Sequence, residues 1–172
     1  LNVGINVSRY PYFVSLDGDT VLDADAFIKV VKPIMDARPG EEIIATGGSV
    51  GIANGSMVDS GYLSSDNVRL STNPLVVMQV IEYLRGFLMG RIGLSRYNML
   101  LLISGAFGVF NKKWVVDIGG YETGTIGEDM ELTVRLHAEM RRRKSKARIV
   151  YVPEPVCWTE APESFTILRR NA

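Results

Sequence analysis

The sequence has one cysteine and one histidine in 172 residues. Cys157 alone cannot close an internal disulfide or build a thiolate metal site, so nothing indicates an oxidising compartment. His137 alone leaves a histidine-rich zinc centre out of reach. Metal chemistry in this chain therefore rests on carboxylates, which favour hard ions such as Mg2+ or Mn2+. A surplus of one charge is missing as well: 19 Lys+Arg stand against 19 Asp+Glu. A general nucleic-acid binder needs a basic surplus to release counterions, and that class is excluded. No run of about 18 apolar residues occurs, so no segment reads as membrane-spanning. The most apolar stretch, Met99 to Phe110, is broken by Ser104, Gly105 and Gly108 and suits a buried segment better. The first residues, Leu1-Asn2-Val3-Gly4, have none of the features of a signal peptide and read as the interior of a longer protein.

What is present is an alternation of strand and helix patterns with 47% hydrophobic residues, enough for one domain with a sizeable core. Tyr12 to Leu16 reads as a strand stopped by the turn Asp17-Gly18-Asp19. Asp23 is placed to cap a helix whose apolar face is Phe27, Val30, Val31 and Ile34. Ile43 to Val50 reads as a strand weakened by Gly47-Gly48, and Gly51 to Asn73 as a surface loop with room for one short strand. A long amphipathic helix is expected from Pro74 to about Arg91, with Val76, Val77, Val80, Ile81, Leu84 and Leu88 on its apolar side. Gly105 to Phe110 suits a strand, and Lys112 to Asp117 a short helix ended by Gly119-Gly120. Glu128 to Arg142 is a second strong helix with Leu132, Leu136 and Met140 on one side. Arg148 to Val152 and Val156 to Thr159 read as two strands, with a last helix from about Glu163. The fold class is α/β.

Two acidic pairs stand out. Asp17 and Asp19 follow the end of an apolar strand, where open α/β sheets place ligands, and can both address one divalent cation. A solvated turn accounts for them equally well. Asp23 and Asp25, by contrast, fit capping and dipole stabilisation of the helix they open. The second pair, Glu128-Asp129, follows the stretch Gly119-Gly120-Tyr121-Glu122-Thr123-Gly124-Thr125-Ile126 and begins a helix. The positive helix end would keep Asp129 ionised and able to accept a proton, and plain charge complementarity is the simpler account. Glu131 suits that simpler account best. His137 reads as a packing or hydrogen-bonding residue, and the run Arg141-Arg142-Arg143-Lys144 as helix C-terminal cations with a membrane-facing role as the alternative. Trp158 suits either a site floor or the core.

Leu16-Asp17-Gly18-Asp19-Thr20, Ile103-Ser104-Gly105-Ala106-Phe107-Gly108, Gly119-Gly120-Tyr121 and Gly127-Glu128-Asp129-Met130-Glu131-Leu132 occur in the order and spacing of family 2 glycosyltransferases. The resemblance is closest to the processive, membrane-embedded synthases of cellulose, chitin, hyaluronan and poly-N-acetylglucosamine, and it covers nearly the whole chain. A strand ending in Asp-x-Asp also resembles the haloacid-dehalogenase phosphatases, which supply none of the last three motifs. The glycosyltransferase resemblance implies a GT-A-like mixed sheet flanked by helices, and inverting transfer from UDP-N-acetylglucosamine or UDP-glucose to a growing polysaccharide. Asp17 and Asp19 would match the carboxylates that hold metal (Mg2+ or Mn2+) and donor diphosphate. Asp129 would match the general base, with Glu128 beside it. Ser104, Gly105 and Phe107 would lie by the acceptor sugar, Gly105 for close backbone approach and Phe107 for stacking on a sugar face or, equally, for packing in the core.

The family's opening β-α-β nucleotide unit and its Gln-x-x-Arg-Trp motif have no counterpart here. Residues 1–172 are therefore expected to be the central and later part of a catalytic domain, inactive by itself. The membrane would be reached through flanking segments, with the intact protein at the cytoplasmic face of the cell membrane. A non-catalytic saccharide- or partner-binding module is the competing expectation.

Overall fold

The computed structural model describes residues 1–18, 20–57, 62–63, 68–122, 124–125 and 127–171, with residues 62, 170 and 171 by backbone alone. Asp19, Thr123 and Ile126 lie outside the described residues, as does part of the expected 51–73 loop. In chain order the elements are α1 (Asn2–Val7), β1 (Tyr12–Leu16), β2 (Val21–Asp23), α2 (Ala26–Met35), β3 (Ile43–Ile52), β4 (Tyr62–Leu63), α3 (Pro74–Tyr83), a π-helical stretch Leu84–Gly90, α4 (Arg91–Arg96), β5 (Phe107–Asn111), α5 (Lys112–Asp117), α6 (Glu128–Arg142), β6 (Arg148–Thr159) and α7 (Phe165–Asn171). The sheet order is β1-β5-β3-β6-β2-β4, a mixed sheet in which β3 and β6 run parallel while β5 lies antiparallel to both β1 and β3.

Strand β3 is buried along almost its whole length, as a strand covered on both faces must be. The expected weakening at Gly47-Gly48 does not occur. A Cβ at Gly47 would overlap Ile103 and one at Gly48 would overlap Val156, so these glycines admit large side chains onto the strand from outside it. Gly51 does the same for the Trp158 ring. Trp158 is accordingly a core residue, packed with Ala53, Leu63 and Val21. One hydrophobic cluster joins Ile44, Ile103 and Ile149 to Leu132 and Leu136 of α6. Another joins Ala26 and Val30 of α2 to Phe107, Val109 and Val156.

Several boundaries differ from expectation for identifiable reasons. β6 is one strand, not two. Pro153-Glu154-Pro155 stay exposed at an irregularity where the β3 register shifts, so no buried ladder N–H is missing. The long helix continues past Arg91 to Arg96, and its middle winds as a π-helix. Tyr83, Phe87 and Arg91 are four residues apart, the spacing that puts side chains on one face of a helix. The Tyr83 and Phe87 rings stack at 5.1 Å and the Arg91 guanidinium lies 3.8 Å from the Phe87 ring centre. Ile81 and Leu84, expected on the apolar side, are exposed.

Asp23 does not cap α2. It is the last residue of β2 and nearly buried, and its Oδ1 accepts from Lys29 Nζ at 2.6 Å and from the Asp25 backbone N–H at 3.2 Å. Asp25 takes the N-cap position without a side-chain cap bond.

The close approach at β3 generates a stability prediction. Gly48→Ala should lower stability by about 1–3 kcal/mol, the usual cost of forcing a methyl group into a packed site. A chemical-denaturation midpoint equal to that of the parent would mean that Val156 moves aside freely.

Candidate functional site

Three separate stretches converge because of the sheet order. β1 pairs with β5 through Leu16 and Phe107, so Asp17, just past β1, emerges beside the segment 103–106 that leads into β5. Helix α6 starts at Glu128 after Gly127, which takes φ +84, a conformation favourable to glycine. That start brings Asp129 against Gly105: a Cβ at residue 105 would fall 2.5 Å from Asp129 Oδ2. Glycine at 105 is therefore a requirement of the carboxylate's position.

Three carboxylates gather without compensation. Among the described ion pairs, none involves Asp17, Glu128 or Asp129. Asp129 is half-buried, and burial pushes its carboxyl above the ordinary range. The Gly105 backbone N–H pulls the other way, while the charges of Asp17 and Glu128 push it further up. Against the downward pull expected of the helix end, desolvation and like charge move the Asp129 carboxyl upward. Glu128 and Asp17 are exposed.

Tyr121, 5% exposed, forms the underside of this cluster. Burial raises its phenol to about 12, with the Ser15 hydroxyl opposing and the charges of Asp129, Glu128 and Asp17 adding to the rise. The Cys157 thiol is also raised to about 12, by burial and then by the charge of Asp17, so it stays protonated. The local sequence gives Tyr121 no role of its own. The signal was there in Gly119-Gly120, whose positive φ values of +91 and +79 turn the chain beneath the site.

The expected acceptor segment is divided. Ser104 and Gly105 are half-exposed beside Asp129, and the Ser104 carbonyl accepts from the Phe107 N–H at 3.2 Å. Phe107 is corrected. It is 1% exposed and packs edge-to-face with Phe27 at 5.3 Å, so no face of its ring is left for a sugar. The strand alternation that turns Gly108 toward Ile103 turns Phe107 into the opposite core. His137 Nε2 lies 2.7 Å from the Leu100 carbonyl, the hydrogen-bonding place expected for it. Arg142 and Arg143 pair with Glu139, and Arg143 also with Asp117, which accounts for half of the basic run as local helix chemistry.

Among the described residues no three His, Cys, Asp or Glu side chains form a metal cage. Magnesium and manganese commonly take only one or two carboxylates, with phosphates and water completing the shell, and an exposed, uncompensated Asp17 suits that kind of binding. The acid cluster is marked by its field and not by depth. A surface hollow of about 620 Å³ lies elsewhere, between α2 and β6, lined by Lys29, Lys32, Pro153 and Glu154.

A family model described as "Glycosyltransferase like family 2" matches residues 2–172. The poly-beta-1,6-N-acetyl-D-glucosamine synthase of Staphylococcus aureus is 31% identical over 167 residues, covering 96% of this chain and 34% of the synthase. The Staphylococcus epidermidis synthase of the same name is 29% identical over the same extent. The chain thus spans 34% of the length of the curated relatives it matches. Among solved structures, the mannosyltransferase PcManGT from Pyrobaculum calidifontis, in complex with GDP-Man and Mn2+, superposes with a TM-score of 0.57. That likeness has 16% identity, covers 99% of this chain and 38% of the other, and is one of fold.

The raised carboxyl of Asp129 has a consequence for stability. A carboxyl whose folded value lies above its unfolded value opposes folding once ionised. The penalty is absent below the unfolded pKa, sets in as pH rises through it, and is complete above the folded value. Asp129→Asn should therefore raise the thermal midpoint near about pH 7, with the gain fading toward about pH 3. A gain that instead grew on acidification would show that Asp129 is stabilised as the carboxylate.

Proposed function

Because this chain belongs to the glycosyltransferase-like family 2 and has the GT-A fold, we propose that it forms part of an inverting transferase, with Asp129 as general base. The observation that carries this reading is the Asp129 carboxylate, half-buried against Gly105 beside Asp17, with its affinity for a proton raised. A sugar hydroxyl is a weak nucleophile and needs a base within hydrogen-bond reach. A base whose pKa is shifted toward neutrality takes up that proton with more driving force than an ordinary carboxylate. In this reading the acceptor hydroxyl gives its proton to Asp129 while its oxygen attacks the anomeric carbon opposite the departing diphosphate. Glu128 adds negative field at the base, and Ser104 and Gly105 border the acceptor.

Asp17 and Asp19 would hold Mg2+ or Mn2+ with the donor diphosphate, and the bound cation would stabilise the charge of the leaving group. The Mn2+ named with the mannosyltransferase of like fold supports a divalent cation. The donor is a UDP-sugar and the acceptor a growing polysaccharide. The product named for the staphylococcal relatives favours UDP-N-acetylglucosamine over UDP-glucose. Among the described residues no helix is long and apolar enough to cross a membrane. In this reading, attachment to the cytoplasmic face of the cell membrane would come through flanking segments. A binding module without chemistry has no use for a half-buried carboxylate of raised pKa, which counts against the competing reading.

In the intact protein, Asp129→Asn should cut polymer synthesis from UDP-N-acetylglucosamine by about 10²–10⁴-fold while leaving donor binding near the parent level. Synthesis that survives with donor binding intact would remove Asp129 from the role of base. Titrating Mn2+ against nucleotide-sugar binding tests the other pair. Binding should tighten with the metal and lose that dependence in Asp17→Asn, whereas metal-independent binding in the parent would sink the assignment of Asp17 and Asp19.

A further inference from the structure

The carboxylate of Asp129 must be held at one height and one rotation of α6 to meet Gly105, yet the start of that helix is poorly fastened. Gly127 supplies no side-chain cap. Leu132 and Leu136 bury one face, but apolar packing is non-directional and sets the axial position of a helix only loosely. The directional tie comes about two turns further on, at Arg135.

Arg135 is half-buried and its guanidinium makes four hydrogen bonds to three partners. Nη1 donates to the Ile118 carbonyl at 2.7 Å, and Nη2 donates to the Gly120 carbonyl at 2.6 Å. Nη2 also reaches Glu131 Oε2 at 2.7 Å, and Nε pairs with Glu131 Oε1. Ile118 and Gly120 belong to the turn that ends α5, where carbonyls have lost their helical partners. Glu131, read from the sequence as complementing the helix end, is the group that orients this guanidinium.

The same turn is gripped from its other side by α1. Asn2 Nδ2 donates to the Tyr121 carbonyl at 2.8 Å, and the Tyr121 N–H donates to Asn2 Oδ1 at 2.8 Å. A Cβ at Gly120 would lie 2.5 Å from that Oδ1, so only glycine fits between the two grips. The Tyr121 ring, set against Phe110 at 6.5 Å, anchors the turn to the sheet. A continuous chain of directional bonds therefore runs from α1 through the turn to α6.

We propose that Arg135 is a positioning residue: by fastening α6 to the Ile118 and Gly120 carbonyls, it sets the register from which Asp129 meets Gly105. Asn2 serves the same end by holding the turn to which Arg135 is fastened. The inference rests on the reading of Asp129 as the base.

The test uses steady-state kinetics of the intact protein, measured well below each variant's thermal midpoint, with Asp129→Asn run in parallel. Arg135→Ala should lose about 100-fold in kcat, the loss expected when a catalytic group is displaced by roughly 1 Å, with the donor KM unchanged. Arg135→Lys should recover little of it, because an ammonium cannot reproduce a planar fork shared by two carbonyls and a carboxylate. Arg143→Ala is the control. It breaks ion pairs to Glu139 and Asp117 at the far end of the same helix and should lower the thermal midpoint without lowering kcat. Parent-like kcat in Arg135→Ala would overturn the inference, as would an equal kcat loss in Arg143→Ala. Should Arg135→Ala fail to fold, parent-like kcat in Arg135→Lys overturns it instead. An active Asp129→Asn brings down the base reading and this inference together, whereas an inactive one beside a fully active Arg135→Ala brings down this inference alone.

Discussion

The parallel pairing of β3 with β6 supports everything else, and it depends on missing side chains. Both strands lie in the middle of the sheet, so both faces of each must be filled by residues from elsewhere. Gly47, Gly48 and Gly51 leave the backbone of β3 bare at the points where Ile103, Val156 and Trp158 press onto it. Ile103 is the residue from which the chain proceeds through Ser104 and Gly105, so its fit over Gly47 also sets the height at which Gly105 meets Asp129. The centre of the sheet and the site are linked by one packing contact.

At the site itself, four effects act on one carboxylate and their balance sets its affinity for a proton. The first turn of a helix and the Gly105 N–H favour the charged form. Burial and the charges of Asp17 and Glu128 disfavour it, and they prevail. The same field acts on Tyr121 and Cys157, which stay protonated and contribute no further charge. A cluster of this kind opposes folding locally, and the surrounding core carries the cost.

Local signals were legible wherever a short stretch supplies its own ending. α5 runs from Lys112 to Asp117 as expected, because the Asn111 side chain accepts from the Trp114 N–H at 3.3 Å and Gly119-Gly120 turns the chain away. α6 runs from Glu128 to Arg142 as expected, because Leu132, Leu136 and Met140 keep a helical period between a glycine start and a basic end. Elements whose form depends on distant neighbours read less well. The π-helical stretch carries no local signal, and the unbroken β6 follows from β3 supplying a ladder on either side of its two prolines. β2, three residues long, has too few positions to show a period at all.

The same division holds for the site. Local pattern alone leaves Asp17 as readily a solvated turn and Glu128-Asp129 as plain charge complementarity; the order and spacing of four motifs in a family resemblance are what single out Asp17, Glu128, Asp129 and Gly105. Whether a side chain faces the site or the core depends on strand phase relative to layers that no local pattern contains. Hence Phe107 lies in the core and Asp23 in an ion pair with Lys29. The sequence by itself determined which carboxylates are available for chemistry. Only the tertiary structure decided that Asp129 is pressed against Gly105 and raised in pKa, since desolvation and like-charge fields depend on distances between segments remote in the chain.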